Sequence, residues 1–193
     1  TVIPVCDKDY MKIKKFNILG PVLFKPTKHV DKRGFFAETF KQNTFEEVTG
    51  SKLLFVQDNI SISLKKGTLR GLHFQMPEHA QGKLVSCQKG SILDVMVDIR
   101  KSSDTYGKYI SIELNENCCD QLWVPPGFLH GYITTQDNCK VAYKVTNYYC
   151  SKSETTIIWN DKLLNINWSI DNPIVSEKDK NGKKFNSFES PFL

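Results

Sequence analysis

The chain has 193 residues, 40% hydrophobic, 24% charged and 11% aromatic, which suits one domain and excludes a disordered or collagen-like chain. Its longest aliphatic and aromatic run, Leu53 to Val56, is far short of the roughly 20 residues that span a bilayer, and no charged-then-apolar leader opens it. A net charge of +5 by itself suits nucleic acid, an anionic small molecule or neither.

Residues 1–11 carry no strong pattern and read as an N-terminal extension or arm; residues 12–193 read as a single domain. From residue 12 onward, short apolar and β-branched runs recur between Gly, Pro, Asn and Asp. They predict strands at 21–25 and 35–40, then a short helix with Asn43 as N-cap, Glu46 three residues on and Gly50 as its stop. Further strands are predicted at 53–64, 67–75, 83–89, 93–99, 110–115, 121–124, 130–135 and 139–148, with a weak helical signal after Asp161. About ten short strands in sequence predict an all-β fold, an antiparallel sandwich or barrel with room for one small ligand.

The six cysteines include the adjacent pair Cys118 and Cys119 and no CxxC, so reduced thiols in a cytoplasmic protein are expected, without zinc. Only three of the 26 basic residues are arginines: Arg33, Arg70 and Arg100. A chain that uses lysine almost everywhere keeps arginine where a planar, bidentate donor is needed.

His73 lies in Arg70-Gly71-Leu72-His73-Phe74-Gln75, and His130 in Pro125-Pro126-Gly127-Phe128-Leu129-His130-Gly131. The second stretch resembles the latter half of the cupin signature. The first stands where metal-binding cupins carry two histidines, but residue 75 is Gln, which leaves too few ligands for a metal. An imidazole there suits proton transfer at neutral pH. Arg70, three residues earlier, points to the opposite strand face unless Gly71 bulges the strand. Lys83 opens a run that reads as the adjacent strand of a hairpin, and Gln57, Asp58 and Asn59 place polar groups in an apolar strand.

These pieces together resemble the dTDP-4-dehydrorhamnose 3,5-epimerase family, cupin-class enzymes acting on nucleotide sugars. The matching stretches run in order: Asp31 to Glu38, Gln57 to Asn59, Arg70 to Gln75, Gln81 to Val85, Val97 to Arg100, Leu122 to Gly131, Tyr143-Lys144, Asn147 to Tyr149, Ile158 to Asp161 and Ser176 to Asp179. The resemblance implies a jelly-roll barrel with short peripheral helices that inverts C3 and C5 of a dTDP-linked 4-keto-6-deoxyhexose through an enolate. It implies His73 as base, Asp179 as its partner, Lys83 at the enolate oxygen and Tyr143 as the opposing acid. Arg33, Phe36, Glu38, Gln57, Asp58, Asn59, Arg70, His130, Glu154 and Lys178 would hold the diphosphate and sugar, with Tyr149 stacked on the base. It also implies a homodimer with an exchanged N-terminal strand, and no cofactor; no G-x-G-x-x-G is present for a nicotinamide. Four other readings stay open: a C3-only epimerase, a 3,5-epimerase for another nucleotide sugar, a metal-dependent cupin enzyme and a non-catalytic sugar-binding cupin. No DNA-binding motif accompanies the barrel, so neither nucleic acid nor membrane is an expected partner.

Overall fold

The computed structural model describes residues 11–193; residues 1–10 of the arm predicted at 1–11, Cys6 among them, lie outside these, and Met11 opens the first strand. The described chain runs through β1 (Met11–Lys15), β2 (Val22–Pro26), β3 (His29–Asp31), β4 (Gly34–Phe36), helix α1 (Gln42–Thr49), β5 (Gln57–Ser63) and β6 (Thr68–Gln75). It continues through β7 (Lys83–Lys89), β8 (Ser91–Asp98), β9 (Tyr109–Asn115), β10 (Gln121–Val124), β11 (Phe128–Thr134), β12 (Cys139–Val145), β13 (Glu154–Thr156), β14 (Ile174–Val175) and helix α2 (Glu177–Lys180). One sheet has the order β1-β2-β10-β7-β12-β5; the other runs β13-β6-β11-β8-β9, with β14 parallel to β6. The two face each other as the antiparallel sandwich-barrel that the strand pattern predicts.

Three apolar clusters follow from strand alternation. Between the sheets, Leu23, Val85, Leu122 and Val141 of the first meet Met96, Leu114, Phe128 and Tyr132 of the second. Outside the first sheet, Phe45 of α1 packs edge-on against Trp123, ring centroids 4.8 Å apart. Phe45 is almost fully buried, so its loss to Ala costs about 3–5 kcal/mol. Outside the second sheet, Val95 and Val97 are covered by Leu164, Trp168 and Phe185 from the C-terminal segment. Strand β8 is therefore buried on both faces.

Several element boundaries differ from the sequence prediction. The helix begins at Gln42 with Lys41 as N-cap; Asn43 sits inside the first turn, its side chain accepting the Thr44 N–H. Gly50 does close the helix, at φ 69°, where a glycine carries no Cβ penalty. The 35–40 prediction shortens to β4, and 53–64 begins at Gln57. The chain after Asp161 makes a turn, and the helix forms later, at α2, where the Ser176 hydroxyl accepts the Asp179 N–H at 3.2 Å. Strand β7 is not the hairpin neighbour of β6. It belongs to the opposite sheet, so Lys83 and His73 approach from two sides of the barrel.

Candidate active site

The site starts from a bulge. Across the β6–β11 ladder His73 pairs with His130, whereas Arg70 pairs with Tyr132: three residues on β6 span two on β11. The extra residue brings Arg70 and His73 to one face, as the sequence required of Gly71. Gly71 sits at φ +134°, and a Cβ there would lie 2.5 Å from the Gly131 Cα, so only glycine fits.

The buried Asp179, presented by α2, accepts from His73 Nε2 at 2.6 Å and from the Gly71 N–H at 3.2 Å. Burial alone would raise its pKa; the His73 bond and charge, the Gly71 N–H and nearby Lys178 outweigh it and hold the carboxyl below its ordinary range. Because the carboxylate accepts, the bonded His73 Nε2 carries the proton, which leaves Nδ1 as the ring's acceptor.

His73 opens on a cavity of about 520 Å³ lined also by Arg70, Lys83, His130, Tyr143 and Glu154. An adjoining recess of about 210 Å³ shares His73, Lys83, Tyr143 and Glu154 and adds Gln57, Asn59 and Tyr149. Desolvation pulls the Lys83 ammonium down to about 8, against the opposing charges of Asp94 and Glu154. Desolvation likewise raises the Tyr143 phenol, so it holds its proton at neutral pH. Glu154 is clamped by the Tyr149 hydroxyl at 3.0 Å and Lys178 Nζ at 2.9 Å. Its own burial opposes ionisation, but these two donors and His73 keep its pKa lowered. Arg70 donates to Ser63 Oγ at 3.3 Å and the Ile62 carbonyl at 3.2 Å, and among the described residues no carboxylate pairs with it. Gln57 binds Asn59 at 2.8 Å and accepts the Tyr149 N–H at 3.1 Å, which fixes that corner.

Four predicted residues are not brought to this cavity. Asp58 points to the other face of β5 from Gln57 and Asn59, and is bonded to Lys144 Nζ at 3.0 Å; strand alternation requires this. Arg33 and Phe36 sit on the exposed β3–β4 hairpin, with Arg33 paired to Asp31 at 2.6 Å. Glu38 follows in the coil before α1 and does not line the cavity either. Conversely, the sequence reading missed Ser61 and Tyr132, which line the cavity with their hydroxyls 2.5 Å apart, and Asp94, bonded to His130 Nε2. Ser61 was legible as the next inward residue after Gln57 and Asn59. Asp94 was not, since an acidic residue in an alternating strand reads as solvent-facing.

His73 and His130 oppose each other, but each Nε2 is held by a carboxylate. Among the described residues no group of three or more His, Cys, Asp or Glu converges as a metal set. The five described cysteines are free.

A barrel that sets a carboxylate-held imidazole against a lysine and a phenol from the facing sheet has the architecture of the cupin-like isomerases. A sequence model of the dTDP-4-dehydrorhamnose 3,5-epimerase family matches residues 15–187, and the chain belongs to that family. It is 48% identical over 175 residues to the dTDP-4-dehydrorhamnose 3,5-epimerase of Shigella flexneri, covering 91% of this chain and 96% of that one. It is similar to the structure of dTDP-6-deoxy-D-glucose-3,5-epimerase from Legionella pneumophila in complex with dTDP-4-keto-L-rhamnose, with TM-score 0.88, 39% identity and coverage of 93% and 95%. A more distant structure, a 3'-monoepimerase of Streptomyces bikiniensis in complex with dTDP-quinovose, superposes with TM-score 0.83 at 27% identity, covering 89% and 87%.

Proposed function

We propose that this protein inverts C3 and C5 of dTDP-4-dehydro-6-deoxy-D-glucose to give dTDP-4-dehydro-L-rhamnose, with its own side chains supplying every proton transfer. The observation that carries this is the 2.6 Å bond between His73 and Asp179 opening onto the cavity that Lys83 and Tyr143 enter from the facing sheet. The C4 ketone acidifies the hydrogens on C3 and C5. His73 Nδ1 removes one of them, and Asp179 stabilises the imidazolium that results. Lys83 lies where the enolate oxygen gathers charge, and a fixed cation at that point lowers the barrier. Tyr143 then returns a proton from the opposite face, which inverts the carbon. Arg70 and Lys178 suit the anionic substrate, and Tyr149 suits stacking on its base.

Arg33, Phe36 and Glu38 belong to this reading only in a homodimer. The hairpin exposes Val30, Phe35 and Phe36, and the outer face of β5 exposes Ile60 and Ile62; both suit burial against a second copy. The hairpin residues then serve the partner's cavity. The free thiols suit a cytoplasmic location. We read residues 12–193 as one epimerase domain, which Met11 joins through β1.

The 3'-monoepimerase keeps the same fold, so a C3-only reaction is the second reading. Incubation with the 4-keto sugar nucleotide in deuterated water separates them: label at C3 and C5 supports the double inversion, and label at C3 alone supports the second reading.

A further inference from the structure

Gln75 stands where metal-binding cupins carry their second histidine, and neither the proton transfers nor the diphosphate contacts use it. It lies two residues after His73 on β6, on the same strand face, and is buried beside the recess that Tyr149 also lines. A buried carboxamide has two donors and an acceptor to satisfy. Here all three go to main chain outside the strands. Nε2 donates to the His79 carbonyl at 2.6 Å and to the Tyr148 carbonyl at 3.3 Å, and Oε1 accepts the Cys150 N–H at 2.6 Å. Turning the amide over would set donor against donor, so one orientation alone fits.

Two of these bonds fall on either side of Tyr149. Tyr148, Tyr149 and Cys150 lie in the connection from β12 to β13 and belong to no strand or helix. Side chains carry their main chain instead: Gln75 at Tyr148 and Cys150, and Gln57 at the Tyr149 N–H between them. The two glutamines come from β6 and β5, strands of opposite sheets. The third bond pins the short turn Pro77–His79, which is tied to the same connection through His79 Nδ1 and Ser153 Oγ, 2.8 Å apart. The Tyr149 ring is exposed, so its place is set by the backbone that bears it and by the bond from its hydroxyl to Glu154.

We propose that Gln75 is a positioning residue for nucleotide recognition: by holding the main chain on both sides of Tyr149, it presets the exposed ring as a platform for the substrate's base. The proposal rests on the reading of Tyr149 as the residue on which the base stacks. A ring fixed in advance loses little freedom on binding, whereas a ring on a loose connection must be ordered by the ligand, which weakens affinity.

The test compares dTDP affinity, measured by titration calorimetry, with the steady-state constants of the full chain. Gln75→Met keeps the length of the side chain but lacks the amide's donors and acceptor. It should weaken dTDP binding about tenfold and raise KM to match. It should leave kcat in place, because Gln75 bonds to none of His73, Lys83, Tyr143 and Asp179. In a Tyr149→Ala background the same substitution should weaken binding no further, since the two act as one unit. Unchanged dTDP affinity in Gln75→Met, a fall in kcat at unchanged KM, or an equal further loss in the Tyr149→Ala background overturns the proposal. Unchanged dTDP affinity in Tyr149→Ala alone overturns the reading of Tyr149 and takes the proposal with it. Where Gln75→Met fails to fold, amide hydrogen exchange of the ligand-free wild-type enzyme decides. A protected Cys150 N–H shows the segment preset; exchange at the free-peptide rate, slowed only by added dTDP, overturns the proposal.

Discussion

Asp98 and Asp179 are both buried carboxylates held below their ordinary pKa, yet their surroundings differ in what they leave free. Asp98 accepts from Arg100 Nε at 2.9 Å and Nη2 at 2.7 Å, from the Arg100 N–H at 3.0 Å, and from the hydroxyls of Ser103 at 2.6 Å and Thr105 at 2.7 Å. The Arg100 guanidinium in turn lies 4.7 Å from the Phe128 ring. Every donor there is a permanent one, and the region lines no part of the cavity that His73 faces. Asp179 instead ends on an imidazole whose second nitrogen has no partner among the described residues. A saturated buried charge ties loops together. One that ends on a titratable ring facing a cavity can support a moving proton.

The comparison breaks most visibly at Lys83, the cation facing the Asp179 side. Lys83→Ala should reduce kcat/KM by about 3–4 kcal/mol, by analogy with lost oxyanion donors, with the thermal midpoint little changed. Steady-state kinetics beside a melting curve checks this, and a stability loss with normal kinetics would place Lys83 with the structural group. The two arginines are the next contrast. Arg70→Lys should weaken substrate binding by about 1.5–3 kcal/mol because an ammonium lacks the fork, while Arg100→Lys should lower the melting temperature and leave KM alone. The reverse pattern would exchange their roles.

Acid sharpens the same contrast. Burial works to raise the Asp98 pKa, but Arg100, Ser103 and Thr105 hold it at about 2. A group whose folded pKa lies below its unfolded one, near 3.9, stabilises fully above the unfolded value and loses that contribution as pH falls toward the folded one. Between about pH 5 and pH 2, Asp98 should therefore surrender up to about 2 kcal/mol, and Asp98→Asn should flatten that part of the stability curve measured by denaturant titration. The smallest effect is expected on isotope exchange in Tyr143→Phe. Enolate formation does not need the phenol, so exchange persists while inverted product falls; loss of both together would make Tyr143 part of the proton-removing machinery.

Much of this was legible in the chain itself. Strands β7 and β10 have the predicted bounds because Lys83 to Lys89 and Gln121 to Val124 are closed by sharp polar or Pro breaks. His73, Lys83, Tyr143 and Asp179, singled out in the sequence, line one cavity, and the Gly71 bulge could be anticipated from the need to place Arg70 and His73 together. Other features depend on tertiary placement. Asp58 was drawn into the predicted site by its neighbours, although period-2 alternation turns it away. Asp94 was hidden because β8 is buried on both faces, which no alternation reveals. The three-residue β13 and two-residue β14 are too short for any period, and they exist only because β6 offers them partners. The hairpin residues Arg33 and Phe36 sit on an exposed hairpin away from the cavity, a placement no local pattern announces.

The measurement that reaches the central claim most directly is solvent deuterium uptake by His73→Ala acting on dTDP-4-dehydro-6-deoxy-D-glucose, with circular dichroism to show the fold intact. With His73 as the base, label enters neither C3 nor C5 while the wild-type enzyme labels both. Uptake at C3 at a near wild-type rate in the variant would remove His73 from that role and, with it, the proton path described for this cavity.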